Sequence, residues 1–555
     1  MSAAAAVLLE RPDQLDLALY RRIAFDGERL VLAGAALDTV QHTRDALLTH
    51  LESGASAYGV TTGLGFLADR PVAAVAPSDQ AAFQRSILAG RAAGVGPPLS
   101  EPVVRGAMLL RLAGFLSGHA GVSVELCRFI AERLNGGWFP VVPGGVSGTA
   151  GEIVPLAHLF ATLTGDGFVH ARADHEPTPQ DREPTLHDRE PTLHDRGPTL
   201  HDRAHPRPAA HALPAADALA ALGVAPYELA AKEGIALING APLAPALAVP
   251  LLLRAEALLD HATLCGALAV ALTGAALRPY SPRVGELKGD PGQMAIHRRL
   301  WSLLAPTPDR LADIRQAPVS LRVIPQVHGA AVDLLAHFRA QVERELRAVT
   351  DSPVFLPAAD AEPEGLYSTG NFHAQYLVLL FAATAAAFTQ VVNLLEKRLH
   401  RLLDARFSRL PDQLTPDPGR HSGLVVLHKQ VIGLAAQARA LTAPAAVHAA
   451  DASTGQEDFQ THTLLAASQL DGVLSALELA LAYELVALRQ ARFLAGAPLP
   501  EALEQAVSRV ATIVAPVAED RSLAAEVEQV RDLVASGELV GGVRCPSIWF
   551  SPTPG

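Results

Sequence analysis

Apolar residues recur along most of the chain with the spacing of helix faces, and strand-like alternation is scarce. The pattern predicts long helices in the second half, at residues 245–277, 376–403, 424–441, 468–494 and 500–514. Some segments, such as CGALAVALTGAAL, are apolar on nearly every side, which indicates burial on most faces. We therefore predict an all-α protein built around a long central helix bundle.

One apolar run raises the question of a membrane. Residues 376–395 carry no charge and are long enough to cross a bilayer. The run also contains Thr, Gln and Asn, and the charged sequence EKRLHR follows it at once. We interpret it as a buried core helix and expect no membrane partner.

A repetitive segment interrupts the helical pattern at residues 173–213. The unit REPTLHD begins at Arg182, Arg189 and Arg196, the third time with Gly for Glu. Each unit has a proline, both charge signs and one Leu, so we predict a disordered surface insertion. Histidines recur in it at positions 187, 194 and 201, but nothing pre-positions them, so a solvated linker is favoured over a metal site. The predicted domains are an N-terminal active-site domain, 1–245, and a C-terminal helical bundle, 246–555.

Composition limits the possible partners. The net charge of −12 and the pI near 5.9 argue against nucleic acid and anionic membrane surfaces. The three cysteines are far apart and form no zinc or disulfide pattern, and the N-terminus lacks a basic signal-peptide region. We expect a cytoplasmic protein that acts on small molecules and has no metal in its site.

Eight separated motifs occur in a fixed order. They are YGVTTGLG, FQRSILAGRAAGVG, GGVSGTAGEIVPLAHL, KEGIALINGAP, DPGQ, SLRVIPQVHGA, GNFHAQ and STGQEDFQTH. Together they resemble the histidine and aromatic amino acid ammonia-lyases over nearly the whole chain outside the repeat segment. The resemblance implies an all-α fold and a homotetramer whose active sites draw residues from three subunits. It also implies an electrophile, 4-methylidene-imidazol-5-one (MIO), made from an Ala-Ser-Gly tripeptide by cyclisation and loss of two waters.

The tripeptide is where the chain departs most clearly from this family. Aligned through GEIVPLAHL, it reads Thr149-Ala150-Gly151. The methylidene comes from a side chain that loses its β-oxygen, and Ala150 has a methyl group with nothing to eliminate. We therefore expect no MIO and no other cofactor. One alternative stays open: Val146-Ser147-Gly148, about one helical turn upstream, could slip into place.

Other motif positions match the family. The resemblance assigns Tyr58 as the catalytic base, Arg322 as the clamp on a substrate carboxylate, and Asn239 as an amide that helps hold the substrate. Glu457 matches an acidic group near the distal end of the substrate. The resemblance also assigns Gln326, Asn371 and Phe372 to the lining of the site.

The specificity positions differ from those of the family. The pair that selects the substrate ring is Gly90-Arg91, which opens the pocket and charges it. Val319 stands where the family has a second tyrosine, and Phe459 stands where it has a histidine. Arg91 could pair with an acidic substrate or with Glu457, and either argues against histidine, phenylalanine or tyrosine as the substrate.

Three functions follow from these positions. The first is an enzyme without MIO that uses Tyr58 as a base for elimination, addition, isomerisation or cyclisation of an anionic small molecule. The second is an amino acid ammonia-lyase or aminomutase with the slipped triad or a residual route without MIO. The third is a non-catalytic homologue. We favour the first. The serine of the tripeptide and the second tyrosine are both replaced, whereas random loss of a catalytic site would be expected to change Tyr58, Asn239 and Arg322 as well.

Overall fold

The computed structural model describes residues 6–72, 77–171, 212–443, 447, 449–496, 498–542, 545 and 548. The helices before the bundle are α1 (Leu17–Ala24), α2 (Gly34–Glu52), α3 (Pro77–Ala89), α4 (Glu101–Leu116), α5 (Val124–Asn135), α6 (Ile153–Ala161), α7 (Ala215–Ala221) and α8 (Glu233–Ile238). Short strands form three two-stranded sheets. The parallel pair is β1 (Val7–Leu9) with β2 (Leu30–Leu32), and the antiparallel pairs are β3 (Phe168–His170) with β4 (Ala212–Pro214) and β5 (Val354–Leu356) with β6 (Gly365–Tyr367).

The remaining helices supply the bundle and its surroundings. They are α9 (Leu243–Leu272), α10 (Pro282–Lys288), α11 (Pro291–Leu304), α12 (Pro308–Ala312), α13 (Val319–Arg322), α14 (Ile324–Glu345), α15 (Gln375–Leu402), α16 (Ala405–Ser408), α17 (Val425–Leu441), α18 (Thr463–Leu494), α19 (Glu501–Ala511) and α20 (Ala524–Ser536). The prediction of an all-α protein is confirmed. The predicted division at residue 245 falls in the first turn of α9 and stays a prediction.

Five long helices form the centre of the molecule. Helix α18 packs against α9, α15 and α17, and α14 packs against α9 and α15. Helix α9 is buried along most of its length, because most of its residues are Leu, Ala or Val. Burial of apolar surface stabilises such a core by about 25 cal/mol per Å². The bundle is therefore a rigid scaffold for the loops at its ends.

An ion pair lies inside this bundle. Arg398 on α15 donates from Nε and Nη2 to the two carboxylate oxygens of Glu484 on α18, at 3.1 and 2.9 Å. Their side chains are 0% and 1% exposed. The two-pronged geometry suits a guanidinium and a carboxylate that have both left water. The pair therefore ties α15 and α18, two of the long bundle helices, together.

Three segments in the described part of the chain are long and apolar enough to cross a membrane. They are Glu233–Leu272, Gln375–Leu402 and Thr463–Leu494, and the sequence pattern singled out only the second. Buried residues make up 94%, 61% and 61% of their most apolar windows. Most residues of each window are therefore buried inside the protein, as predicted for residues 376–395.

The predicted insertion lies mostly outside the described residues, as do its histidines. Its C-terminal boundary needs correction, because Ala212 and Leu213 belong to strand β4. Ala212 pairs with His170 and Leu213 with Val169 in an antiparallel ladder. The backbone hydrogen bonds of this ladder hold residues that the low apolar content of the segment had suggested were disordered.

Removing residues 174–207 is expected to leave the fold intact. The paired strands β3 and β4 bring the flanking residues together, and shortening a loop lowers its closure entropy by only about 1–2 kcal/mol. The free energy of unfolding of the deletion variant should equal or slightly exceed that of the full chain in urea titrations. An insoluble or destabilised variant would show that the segment is structural.

Candidate active site

A cavity of about 700 Å³ opens where the loop after α2, the loop before α6, the end of α8 and the segments before α15 and α18 meet. It is lined by Tyr58, Ala68, Ala150, Gly151, Ile153, Asn239, Ser352, Ser368, Thr369, Gly370, Phe372, His373, Gln456, Glu457, Asp458 and Phe459. Seven of these residues were predicted from the sequence motifs: Tyr58, Ala150, Gly151, Asn239, Phe372, Glu457 and Phe459. The cavity thus brings together residues far apart in the chain.

Tyr58 is held in a tight loop. Gly59 has a φ of +70°, which glycine adopts without strain, and its carbonyl accepts a hydrogen bond from Nε2 of Gln84 at 2.8 Å. The backbone N–H of Gly65 donates to the phenolic oxygen of Tyr58 at 3.0 Å. This hydrogen bond fixes the phenol at the cavity wall and would stabilise negative charge on its oxygen.

The same glutamine positions Asn239. Oε1 of Gln84 accepts from the backbone N–H of Gly234 at 2.9 Å, which ties α3 to the start of α8. A Cβ at Gly234 would lie 2.4 Å from the carbonyl oxygen of Gln84, so only glycine allows this approach. Asn239 follows α8 directly, and its Nδ2 donates to the carbonyl of Ser352 at 2.7 Å.

A buried ion pair supports this part of the wall. Nζ of Lys232 lies 2.9 Å from Oδ2 of Asp351, and the two side chains are 0% and 4% exposed. Arg111 approaches the other oxygen of Asp351 at 3.8 Å. Since Ser352 follows Asp351, the pair fixes the carbonyl that Asn239 contacts.

The Thr149-Ala150-Gly151 loop presents Ala150 and Gly151 to the cavity. The hydroxyl of Thr149 donates to the carbonyl of Gly151 at 2.6 Å and closes a turn over Ala150. Glu152 follows and accepts from the backbone N–H groups of Leu243 and Ala244 at 2.6 and 2.7 Å, at the start of α9. Burial raises the pKa of Glu152 to about 8, and these donors partly oppose the rise. The loop is therefore anchored to the bundle on the side away from the cavity.

Ser147 lies on the side of this loop away from the cavity. It lines a separate pocket of about 10 Å³ with Thr149 and residues 461–464, and it is not among the described residues that line the large cavity. Its hydroxyl is 3.5 Å from that of Thr149. The residues at the cavity do not fit MIO, because the position that would supply the methylidene is Ala150.

Arg91 adds positive charge beside the cavity. Burial lowers the pKa of its guanidinium, and the nearby Tyr58 and Glu457 partly oppose this. Nη1 of Arg91 donates to the carbonyl of Ile87 at 3.2 Å, and the described contacts include no hydrogen bond from Arg91 to Glu457. Glu457 and Arg91 thus place opposite charges near the phenol of Tyr58.

Seven predicted residues are not among the described residues lining the cavity: Gly90, Arg91, Thr149, Val319, Arg322, Gln326 and Asn371. Nε of Arg322 donates to the carbonyl of Ala317 at 2.8 Å, within the segment around α13. Val319, at the start of α13, is 58% exposed. The assignment of these residues to the substrate site stays a prediction.

His373 is a cavity residue that the sequence reasoning missed. Its ring centroid lies 5.5 Å from that of Phe459, and its Nε2 is buried without a hydrogen-bond partner in the described structure. Burial lowers the pKa of His373, so the imidazole is neutral at pH 7. The available signal was its place in GNFHAQ, directly after the predicted Phe372.

Solved structures share this fold. A tyrosine aminomutase from Streptomyces globisporus superposes with a TM-score of 0.82 at 26% identity, over 97% of this chain and 98% of that one. A histidine ammonia-lyase from Trypanosoma cruzi superposes with a TM-score of 0.80 at 24% identity, over 96% and 94% of the two chains. The bundle with its end cavity is therefore the fold of ammonia-lyases and aminomutases, as expected.

Sequence comparison gives the family. The family model for aromatic amino acid lyases matches residues 15–514. A histidine ammonia-lyase from Aromatoleum aromaticum is 32% identical over 542 residues, covering 96% of this chain and 94% of the relative. One from Deinococcus radiodurans is also 32% identical, with the same coverage. The chain belongs to the aromatic amino acid lyase family.

Proposed function

We propose that this chain is an enzyme on the ammonia-lyase scaffold that works without MIO and uses Tyr58 as its general base. The observation that carries the proposal is the cavity itself, where Ala150 stands at the electrophile position beside Tyr58 and Asn239. Chemistry that needs no electrophile still needs a base and a substrate-holding amide. Convergence of Tyr58, Asn239 and Glu457 on one cavity argues against a non-catalytic homologue.

The proposed step is a proton transfer. Ionised Tyr58 takes a proton from a carbon next to an electron-withdrawing group, and the electrons of the C–H bond form a double bond. In an elimination, the leaving group departs with the electrons of its own bond. The N–H of Gly65 and the positive charge of Arg91 stabilise the ionised phenol. Because no covalent activation is available, the leaving group must depart unaided.

The charges around the cavity favour an anionic substrate. Arg91 supplies a fixed positive charge, which attracts a carboxylate at short range. We also propose a cytoplasmic homotetramer. In that assembly Arg322 and the exposed Val319 would serve the cavity of another copy of the chain.

A second candidate is an amino acid ammonia-lyase or aminomutase. The relatives named histidine ammonia-lyase favour it, and L-histidine is then the substrate to test first. This reading requires Ser147 to move from its separate pocket into the cavity, or a route without MIO.

Deuterium exchange tests the proposed base directly. The protein is incubated in D₂O with L-histidine, L-phenylalanine, L-tyrosine and a panel of carboxylates bearing β-leaving groups, and NMR follows the acidic C–H. The proposal expects exchange or elimination with carboxylates carrying good leaving groups, and no ammonia release from the three amino acids. Ammonia release from L-histidine would favour the second candidate, and no exchange with any substrate would favour a non-catalytic homologue.

Replacing Arg91 with alanine is expected to change substrate preference. Loss of a charged contact removes about 1.5–3 kcal/mol, so kcat/KM for the anionic substrate should fall roughly 10- to 100-fold. Neutral analogues should change little. Arg85→Ala is the matched control, because Arg85 pairs with Asp166 at 2.7 Å on the outer face of α3. Equal effects on charged and neutral substrates would remove Arg91 from the specificity pocket.

A further inference from the structure

Three metal-ligating side chains meet where α15 and α17 pack together. Glu396 and His400 lie one helical turn apart on α15, and His428 reaches them from α17. Nε2 of His428 is 2.7 Å from Oε1 of Glu396, and the rings of His400 and His428 stack with centroids 4.6 Å apart. One ligand atom from each residue lies within 4.8 Å of the other two.

We propose that Glu396, His400 and His428 bind a divalent transition-metal ion, with Zn²⁺ the best match. Two imidazole nitrogens and a carboxylate oxygen are ligands that Zn²⁺ takes in proteins, with a water in the fourth position. Ligand atoms around a tetrahedral Zn²⁺ are about 3.3 Å apart, given metal–ligand bonds of about 2.0–2.1 Å. The ligand atoms already lie within 4.8 Å of one another, so small side-chain rotations would bring them to this spacing.

Metal binding replaces an existing contact between two of the ligands. The ion would take the place of the 2.7 Å hydrogen bond between Nε2 of His428 and Oε1 of Glu396, and both atoms would become its ligands.

Two cations compete with the metal ion. Nζ of Lys397 lies 2.8 Å from Oε2 of Glu396, and Arg401 acts on His400 electrostatically. The Lys397 side chain is 59% exposed, so it can turn into solvent, and it contacts Oε2 of Glu396 rather than the Oε1 that faces His428. Competition from these cations should lower the affinity for the metal ion without preventing its binding.

The site is separate from the catalytic cavity. Glu396, His400 and His428 are not among the described residues that line it. A metal ion held by both helices would clamp α17 onto α15. Its role is therefore structural, and it is independent of the proposed reaction.

Metal titration of the full-length protein tests the site. After treatment with EDTA and desalting, Zn²⁺ binding is measured by calorimetry and Co²⁺ binding by visible absorbance. The wild type should bind one more ion per chain than His400→Gln/His428→Gln, with a Co²⁺ absorbance that the variant lacks. The repeat histidines 187, 194 and 201 are present in both proteins, so any metal that they bind adds equally to both stoichiometries and does not affect the difference. Equal stoichiometry and equal spectra would overturn the proposal.

A second variant keeps the test valid if the double variant folds poorly. Lys397→Met removes the competing ammonium without touching a ligand, and it should tighten Zn²⁺ binding roughly threefold or more. Zn²⁺ should also raise the Tm of the wild type and of Lys397→Met. An unchanged affinity in Lys397→Met, or no effect of Zn²⁺ on Tm, would contradict the site.

Discussion

Tyr58→Phe is expected to lower kcat about 10²- to 10⁴-fold, the usual contribution of a positioned general base. Phenylalanine fills the same space, so KM should change little and the loop between Gly59 and Gly65 should keep its shape. Only the oxygen that accepts the Gly65 N–H is lost. The rate of C–H exchange in D₂O measures the effect without depending on the leaving group.

Tyr376→Phe is the matched control. Tyr376 is 44% exposed, its hydroxyl lies 2.6 Å from Nε2 of His337, and it is not among the described residues that line the cavity. It should keep full activity. If Tyr58→Phe retains the exchange rate of the wild type, Tyr58 is not the base, and the proposed function loses its central residue.

Glu484→Gln is expected to destabilise the protein by about 3–5 kcal/mol, because it leaves the guanidinium of Arg398 buried without an anionic partner. Nη1 of Arg398 already lacks a hydrogen-bond partner among the described residues, so little can compensate. The midpoint of urea unfolding should fall, while activity at low temperature should persist because the pair lies inside the bundle.

Two further variants separate charge burial from other effects. Glu528→Gln alters a carboxylate that is 58% exposed and paired with Arg531, and it should change stability by less than about 1 kcal/mol. Arg398→Met/Glu484→Leu removes both buried charges and should recover most of the lost stability. A double variant as unstable as Glu484→Gln would mean that packing, and not an unpaired charge, sets the cost.

Helix periodicity predicted the bundle well, since the expected helix at 376–403 corresponds to α15 and that at 424–441 to α17. The helix ends were predicted less accurately, because local contacts determine where each helix stops. Helix α9 stops at Leu272 rather than 277, where Gly274 takes a φ of +63° and the N–H of Ala275 reaches back to Val270. Composition could not show that the edge of the repeat segment pairs with β3.

The site was predicted from motifs, and the motifs could not show which side chains meet within one chain. Tyr58 and Asn239 converge because Gln84 hydrogen-bonds to the loop of Tyr58 and to the start of α8. Glu457 joins them because its segment packs against Gly65, next to the Tyr58 phenol. Arg322 does not reach the cavity in the single chain, since its segment around α13 faces elsewhere. The spacing of residues within a motif does not reveal long-range packing of this kind.

The intact mass of the purified protein, with its near-ultraviolet spectrum, decides whether the chain forms MIO. We predict the unmodified mass of the sequence and no added chromophore, because Ala150 has no oxygen to lose and Ser147 lies in a separate pocket. A mass short by two waters, with new absorbance that Ser147→Ala abolishes, would contradict it. The chain would then be an MIO enzyme with amino acids as its substrates.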